Sequence, residues 1–166
     1  MMKKVIALFG ATGQTGKQFL ELALAEGYEV KALVRNTTKL KLTNPKLTVL
    51  KGDVLNEQDV NQTIEGTDIV VSLFGHVKGS SELLQTHGTE NIVSAMQKNG
   101  VDRIISLSGG GLPFPEKDKP KFADKLIRTI MKMAVPKILN DAIKHHDVLK
   151  KSGLNLDHCE SAEAYE

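Results

Sequence analysis

Gly10-Ala11-Thr12-Gly13-Gln14-Thr15-Gly16 follows the apolar run Val5 to Phe9 and precedes an amphipathic stretch, so three glycines stand where a buried strand turns into a helix. Each suits its place for a different reason. Gly10 takes a tight turn without a Cβ clash, Gly13 lets a pyrophosphate approach the backbone, and Gly16 lets the helix pack close to the strand. The first amides of that helix lack intrahelical partners and face any anion held there, with the helix dipole behind them. The implied chemistry is the cradling of a dinucleotide's diphosphate. Gly16-Lys17 also gives Ala11 to Gln18 the look of a nucleotide-hydrolysing phosphate loop. That reading fails, because Gln18 stands where a magnesium-binding hydroxyl is needed and the run Ile69 to Phe74 ends in Gly75 without a carboxylate.

The coenzyme is read at the end of the second strand, about twenty residues past the glycine turn. An acidic residue there accepts bonds from the ribose hydroxyls of NAD, whereas a basic one pairs with the extra phosphate of NADP. This chain has Arg35, in Leu33-Val34-Arg35-Asn36, and no Asp or Glu at that edge. A guanidinium grips a phosphate bidentately, so NADP(H) is expected over NAD(H); the alternative is a solvated arginine at a strand end. After the third strand, in Gly52-Asp53-Val54, Asp53 can bond the exocyclic amine of adenine and Val54 can line its face. Asp53 serves equally well as a loop acid or in the approach to a helix N-cap.

These residues need a scaffold of alternating elements. Strand-like runs are Val5 to Phe9, Val30 to Val34, Leu47 to Leu50, Ile69 to Phe74 and Arg103 to Leu107. Helical stretches lie between them: a first that Gly27 ends, a second over Gln58 to Ile64, and a third whose buried side is Ile92, Val93 and Met96 and which closes at Asn99-Gly100. The alternation predicts an α/β fold, a Rossmann-type doubly wound parallel sheet in a single domain over residues 1–155. Pro113, Pro115 and Pro120 make Gly109 to Pro120 a loop, and Lys121 to Ser152 reads as two helices with Pro136 in the first turn of the second.

The totals narrow the class of ligand. With 166 residues the chain is one domain, without room for a separate substrate domain. Twenty-two Lys and Arg against 20 Asp and Glu give a formal net charge of +2, interspersed, so no basic stripe points to nucleic acid or to a membrane surface. A small-molecule substrate is expected. The single cysteine and the lack of a signal-like segment predict a cytoplasmic location.

With Val34-Arg35, Gly52-Asp53-Val54, Asn91-Ile92-Val93 and Val101-Asp102-Arg103-Ile104-Ile105 in order behind the glycine turn, residues 3–155 resemble an atypical short-chain dehydrogenase/reductase. The similarity is greatest to the NAD(P)H-binding branch of NmrA-like proteins and flavin reductases of the biliverdin reductase B type. The resemblance implies Gly10, Thr12, Gly13, Gln14, Thr15, Gly16, Arg35, Asp53, Val54, Leu73, Phe74 and Gly75 around the coenzyme. It also implies an NADPH-dependent oxidoreductase acting on a flavin-, quinone- or carbonyl-type acceptor, or a non-catalytic NADP(H) sensor of the NmrA-like type. Two departures stand out. The only tyrosines are Tyr28, buried by pattern, and Tyr165, so the usual Tyr/Lys pair is absent; and Gly109 occupies the place of the serine that flavin reductases carry past the fifth strand.

Hydride transfer needs placement more than acid–base groups, since the coenzyme supplies the hydride. Ser108, at the end of the fifth strand, either bonds the nicotinamide or substrate or satisfies a turn. His76, just past Phe74-Gly75, is either a proton donor near the nicotinamide or a plain loop histidine. His145 and His146 fall on different faces of the last helix and read as no metal site; His87 reads as surface or capping.

Asn155 should open a sixth strand, yet residues 156–166 are polar and charged without strand alternation. Moved by one base, with synonymous codons chosen freely, the tail reads Trp-Thr-Ile-Val-Arg-Ala-Pro-Arg-Leu-Thr, a strand and an Arg/Pro-containing loop as in the similar family. The expectation is therefore a sheet cut short after its fifth strand and following helices, ending in an irregular, frameshifted tail. An incomplete sheet exposes an edge for self-association, and an inactive truncated reductase is one outcome.

Overall fold

The computed structural model describes residues 4–108 and 136–160. Six parallel strands run in the order β3-β2-β1-β4-β5-β6: β1 (Val5–Phe9), β2 (Glu29–Val34), β3 (Leu47–Lys51), β4 (Ile69–Ser72), β5 (Arg103–Ser108) and β6 (Asn155–Glu160). The described helices are α1 (Gln14–Ala25), α2 (Glu57–Ile64), α3 (Leu84–Asn99) and α4 (Pro136–Lys151). The strand order reverses beside β1, which leaves a crevice at the carboxyl ends of β1 and β4.

Alternation along β1 divides the core. Ile6 and Leu8 face α1 and pack with Leu20, Ala23 and Leu24, whereas Ala7 and Phe9 face the other side, with Val60 and Ile64 of α2, Ile92 and Met96 of α3 and Leu149 of α4. Burying each of the larger side chains contributes ~1.5–3 kcal/mol, so the glycine turn hangs from a strand fixed on both faces. Gly100, in the left-handed region at φ +67°, closes α3 as the Asn-Gly pair predicts. Tyr28, expected to be buried, is 37% exposed at the entry to β2.

The sheet corrects the expected truncation. It continues past β5 into β6, paired from Arg103↔Asn155 to Ser108↔Glu160, with Asn155 N donating to Asp102 O at 2.8 Å. Main-chain pairing supplies the ladder, and Leu154 and Leu156 pack against the core cluster, so side-chain alternation along all six residues is not required. A strand at a sheet edge also tolerates polar residue types that a central strand does not. Residues 156–160, expected to be irregular, are therefore strand; residues 161–166 lie outside the described residues, and the β5 edge is paired. The Gly109 to Pro120 loop, the first of the two helices expected over Lys121 to Ser152, and Tyr165 also lie outside the described residues. Among the described residues no helix is long and apolar enough to cross a membrane.

Candidate functional site

A cleft of about 430 Å³ opens where the carboxyl ends of β1 to β4 give way to their turns, a volume within the range of small-molecule sites. Its floor is the glycine turn. Gly10 sits at φ +92°, where a Cβ would lie 2.6 Å from the backbone of Leu73 and Phe74; a Cβ on Gly16 would collide with Gly10 O. Gly13 N donates to Gly10 O at 3.0 Å and closes the turn. Gly13 is also the N-cap of α1, and it makes no side-chain capping bond; the first turn of α1 carries no acidic residue. The amide end of α1 is thus left for an anion from outside the chain.

The turns after β2 and β3 form the adenosine-sized end. Arg35 leaves β2, and Asn36 then accepts from Thr38 N at 3.0 Å, winding Thr37–Lys39 into a short 3-10 turn that returns Lys39 to the cleft. Two exposed cations therefore flank one rim. Asp53 and Val54 line the cleft after β3. Asp53 Oδ1 accepts from Leu55 N at 3.0 Å, while Asp53 N donates to Asp59 Oδ2 at 2.9 Å. The loop-acid role is thus visible, and Asp53 remains in the lining. A Cβ on Gly52 would meet Asp59 Oδ2 at 2.5 Å, so glycine there admits the carboxylate. Asn91 Nδ2 donates to Val54 O at 3.0 Å, and Gly88, whose Cβ would lie 2.8 Å from the Phe74 ring, lets α3 close behind Phe74 and Val54.

β4 is shorter than its apolar run. Pairing stops at Ser72, and Leu73, Phe74 and Gly75 leave the sheet to line the cleft. The structure thus gathers Gly10, Thr12, Gly13, Arg35, Asp53, Val54, Leu73, Phe74 and Gly75 in one lining. Gln14 and Thr15 are exposed on the first turn of α1, outside that lining, and Gly16 is buried beneath Gly10. Lys39, Val77, Lys78 and Leu84 also line it, at positions outside the coenzyme-binding motifs of the sequence. Asn36-Thr37-Thr38, a capping signature, is the local signal that announces Lys39.

His76 is not brought into the cleft. Its Nε2 lies 2.6 Å from Asp141 Oδ2 and its Nδ1 3.1 Å from Ser80 Oγ, so the ring is turned to the seam between α3 and α4. Burial raises the Asp141 carboxyl pKa, but hydrogen bonds from Thr86 Oγ1, Gln85 N, Thr86 N and His76 outweigh it and hold the group below the ordinary carboxylate value. Ser108 closes β5; its side chain lies outside the described residues. His145 is a buried core group, 2.7 Å from Thr89 Oγ1 and 3.3 Å from Ser106 Oγ. His87 pairs with Glu90 at 2.9 Å on the surface.

A parallel sheet with a glycine turn, an uncapped helix end and a cleft at its switch point defines a Rossmann-type dinucleotide-binding protein. The chain belongs to the NAD(P)H-binding family, whose sequence pattern matches residues 10–156. It is 33% identical over 114 residues to an uncharacterized chloroplastic protein of Arabidopsis thaliana, At2g34460, covering 63% of this chain and 41% of that one. It is 32% identical over 113 residues to N-acetyl-alpha-D-glucosaminyl-diphospho-ditrans,octacis-undecaprenol 4-epimerase of Escherichia coli O157:H7, covering 64% of this chain and 33% of that one. The chain therefore spans less than half the length of these two curated relatives. Among solved structures, a short-chain dehydrogenase/reductase of Veillonella parvula in complex with NADP superposes at a TM-score of 0.75 with 19% identity, covering 95% of this chain and 68% of that one.

Proposed function

We propose that this protein binds NADP(H) and passes hydride from the reduced coenzyme to a small acceptor of flavin, quinone or carbonyl type. The observation that carries the reading is the pairing of an uncapped α1 amide end with two cations, Arg35 and Lys39, in the lining of the same cleft. The first suits a diphosphate and the second suits the additional phosphate of NADP. Among the described residues lining the cleft there is no tyrosine and no histidine. That favours acceptors whose reduction does not rely on a proton donor from the protein, flavins and quinones before carbonyls. The resident chemistry of the coenzyme is hydride donation; the chain's part is to hold the diphosphate on the α1 amides, the adenosine end between Arg35 and Val54, and water out along Phe74.

The same lack of a tyrosine or histidine among the described lining residues supports a second reading, a coenzyme sensor without turnover. NADPH oxidation followed at its absorbance with a panel of flavins, quinones and aldehydes separates the two: turnover supports the reductase, and tight binding with no turnover supports the sensor. Arg35→Glu is expected to weaken NADPH binding at least ~30-fold while sparing NADH, in line with loss of a charge-assisted bidentate contact and its replacement by repulsion. Equal losses for both coenzymes would remove the NADP(H) preference.

A further inference from the structure

Asp141 has no exposed side-chain surface, and every hydrogen bond its carboxylate makes reaches 55 to 65 residues back along the chain. Oδ1 accepts from Thr86 N at 2.9 Å and from Thr86 Oγ1; Oδ2 accepts from Gln85 N at 2.8 Å and from His76 Nε2 at 2.6 Å. Two of these four donors are orphan amides at the start of α3, where the N-cap position, Leu83, offers no side-chain bond of its own, and a third is the Thr86 hydroxyl. The fourth, His76 Nε2, belongs to the segment leaving β4. There Gly75, Val77 and Lys78, the neighbours of His76, line the cleft, while Gly75 has open space at its Cβ position and Gly79 sits at φ +83°. Ser80 ties this segment to itself: its Oγ donates to Val77 O at 2.8 Å, its N donates to the same oxygen at 3.0 Å, and the His76 ring rests on its hydroxyl. Serine, histidine and aspartate in a row have the composition of a hydrolase triad, but Ser80 Oγ is bound within its own turn by Val77 O at 2.8 Å and Val77 N at 3.3 Å and is absent from the cleft lining, so the arrangement is a tether.

We infer that Asp141 is a positioning residue for the coenzyme cleft, acting through His76 to hold the wall of Gly75, Val77 and Lys78 in place against the bound dinucleotide. The inference rests on the proposed coenzyme reading of that cleft. One buried carboxylate bonds both the start of α3, where Leu84 enters the lining, and the strand-exit segment, so two parts of the cleft lining are tied to a group on a third element. Without the tether the segment is held only by its internal turn, and the coenzyme must order it on binding.

The test uses the full chain and four proteins: wild type, His76→Ala, His76→Gln and Asp141→Asn. NADPH affinity is measured by fluorescence titration, and cleavage after Lys78 by trypsin is timed without coenzyme. His76→Ala is expected to bind NADPH roughly tenfold more weakly, the cost of ordering one or two released residues, and to be cut faster after Lys78. His76→Gln, whose amide can donate to the same carboxylate oxygen, is expected to restore both values; a purely space-filling role of the ring would leave Asp141→Asn, which keeps that ring, at wild-type values. Asp141→Asn, where it folds, is expected to follow His76→Ala. Wild-type affinity and cleavage rate in His76→Ala would overturn the tether alone, as would a Gln variant no better than Ala. A wild type that binds neither NADPH nor NADH would overturn the coenzyme reading and the inference together, even if trypsin still separated the variants.

Discussion

α1 and α3 begin alike, with Gly13 and Leu83 at N-cap positions that supply no side-chain bond, and the protein treats the two ends in opposite ways. For α3 it sends Asp141 across from α4 to take the amides of Gln85 and Thr86. For α1 it supplies no side-chain cap and no acidic residue in the first turn, and it aims that end at an open cleft. A helix start needs something for its amides to bond; where the chain provides it the end is structural, and where it does not the end is available to an anion. α2 sides with α3, since Asn56 accepts from Gln58 N and Asp59 N and Glu57 and Asp59 sit in its first turn.

The contrast can be broken at the α1 end by Gly10→Ala. The new Cβ meets Leu73 and Phe74 backbone at 2.6 Å in a left-handed conformation, so urea denaturation should show a loss of about 2–4 kcal/mol and coenzyme binding should vanish. At the α3 end, Asp141→Asn should lower stability by about 2 kcal/mol near neutral pH, since it replaces a fully paired buried acceptor. The sign of its pH dependence follows from the lowered carboxyl: the contribution is complete above the unfolded-state value and drains away as pH falls through the folded one. Melts of wild type and variant should therefore converge on acidification below the ordinary carboxylate range and stay apart above it. Thr15→Asp sharpens the comparison with the smallest effect. An acid in the exposed first turn of α1 should raise the stability of the free protein by ~0.5 kcal/mol while sharply weakening NADPH binding, because the side chain competes for the amides that the diphosphate needs. A stability gain with unchanged affinity would place the diphosphate elsewhere.

What the sequence made legible was local. The strand, glycine turn and helix lie within residues 5–25, and the requirement for glycine at 10 and 16 follows from geometry a few residues long. Arg35 was legible for the same reason, one residue past an apolar strand. The capping of α3 by Asp141 and the turning away of His76 join positions 55 to 65 apart, and nothing near either residue announces them. Leu83, a poor cap before a long helix, was the indirect sign that a distant residue must serve. β6 is hidden in the sequence because its polar residues lack strand alternation, whereas the open ladder of β5 pairs with its backbone and Leu154 and Leu156 anchor it to the core. Asn91 stands out in the sequence only as part of a motif; its reason, a bond to Val54 O that holds the cleft wall, appears only in three dimensions.

Arg35 and Lys39 both stand in solvent rather than in a walled pocket. Attraction between such groups and a phosphate is screened over ~8–10 Å at ordinary ionic strength. On the proposed coenzyme reading, any margin for the phosphorylated coenzyme that rests on Arg35 and Lys39 would narrow as salt is added, so NADPH and NADH affinities should draw closer together in a more concentrated electrolyte.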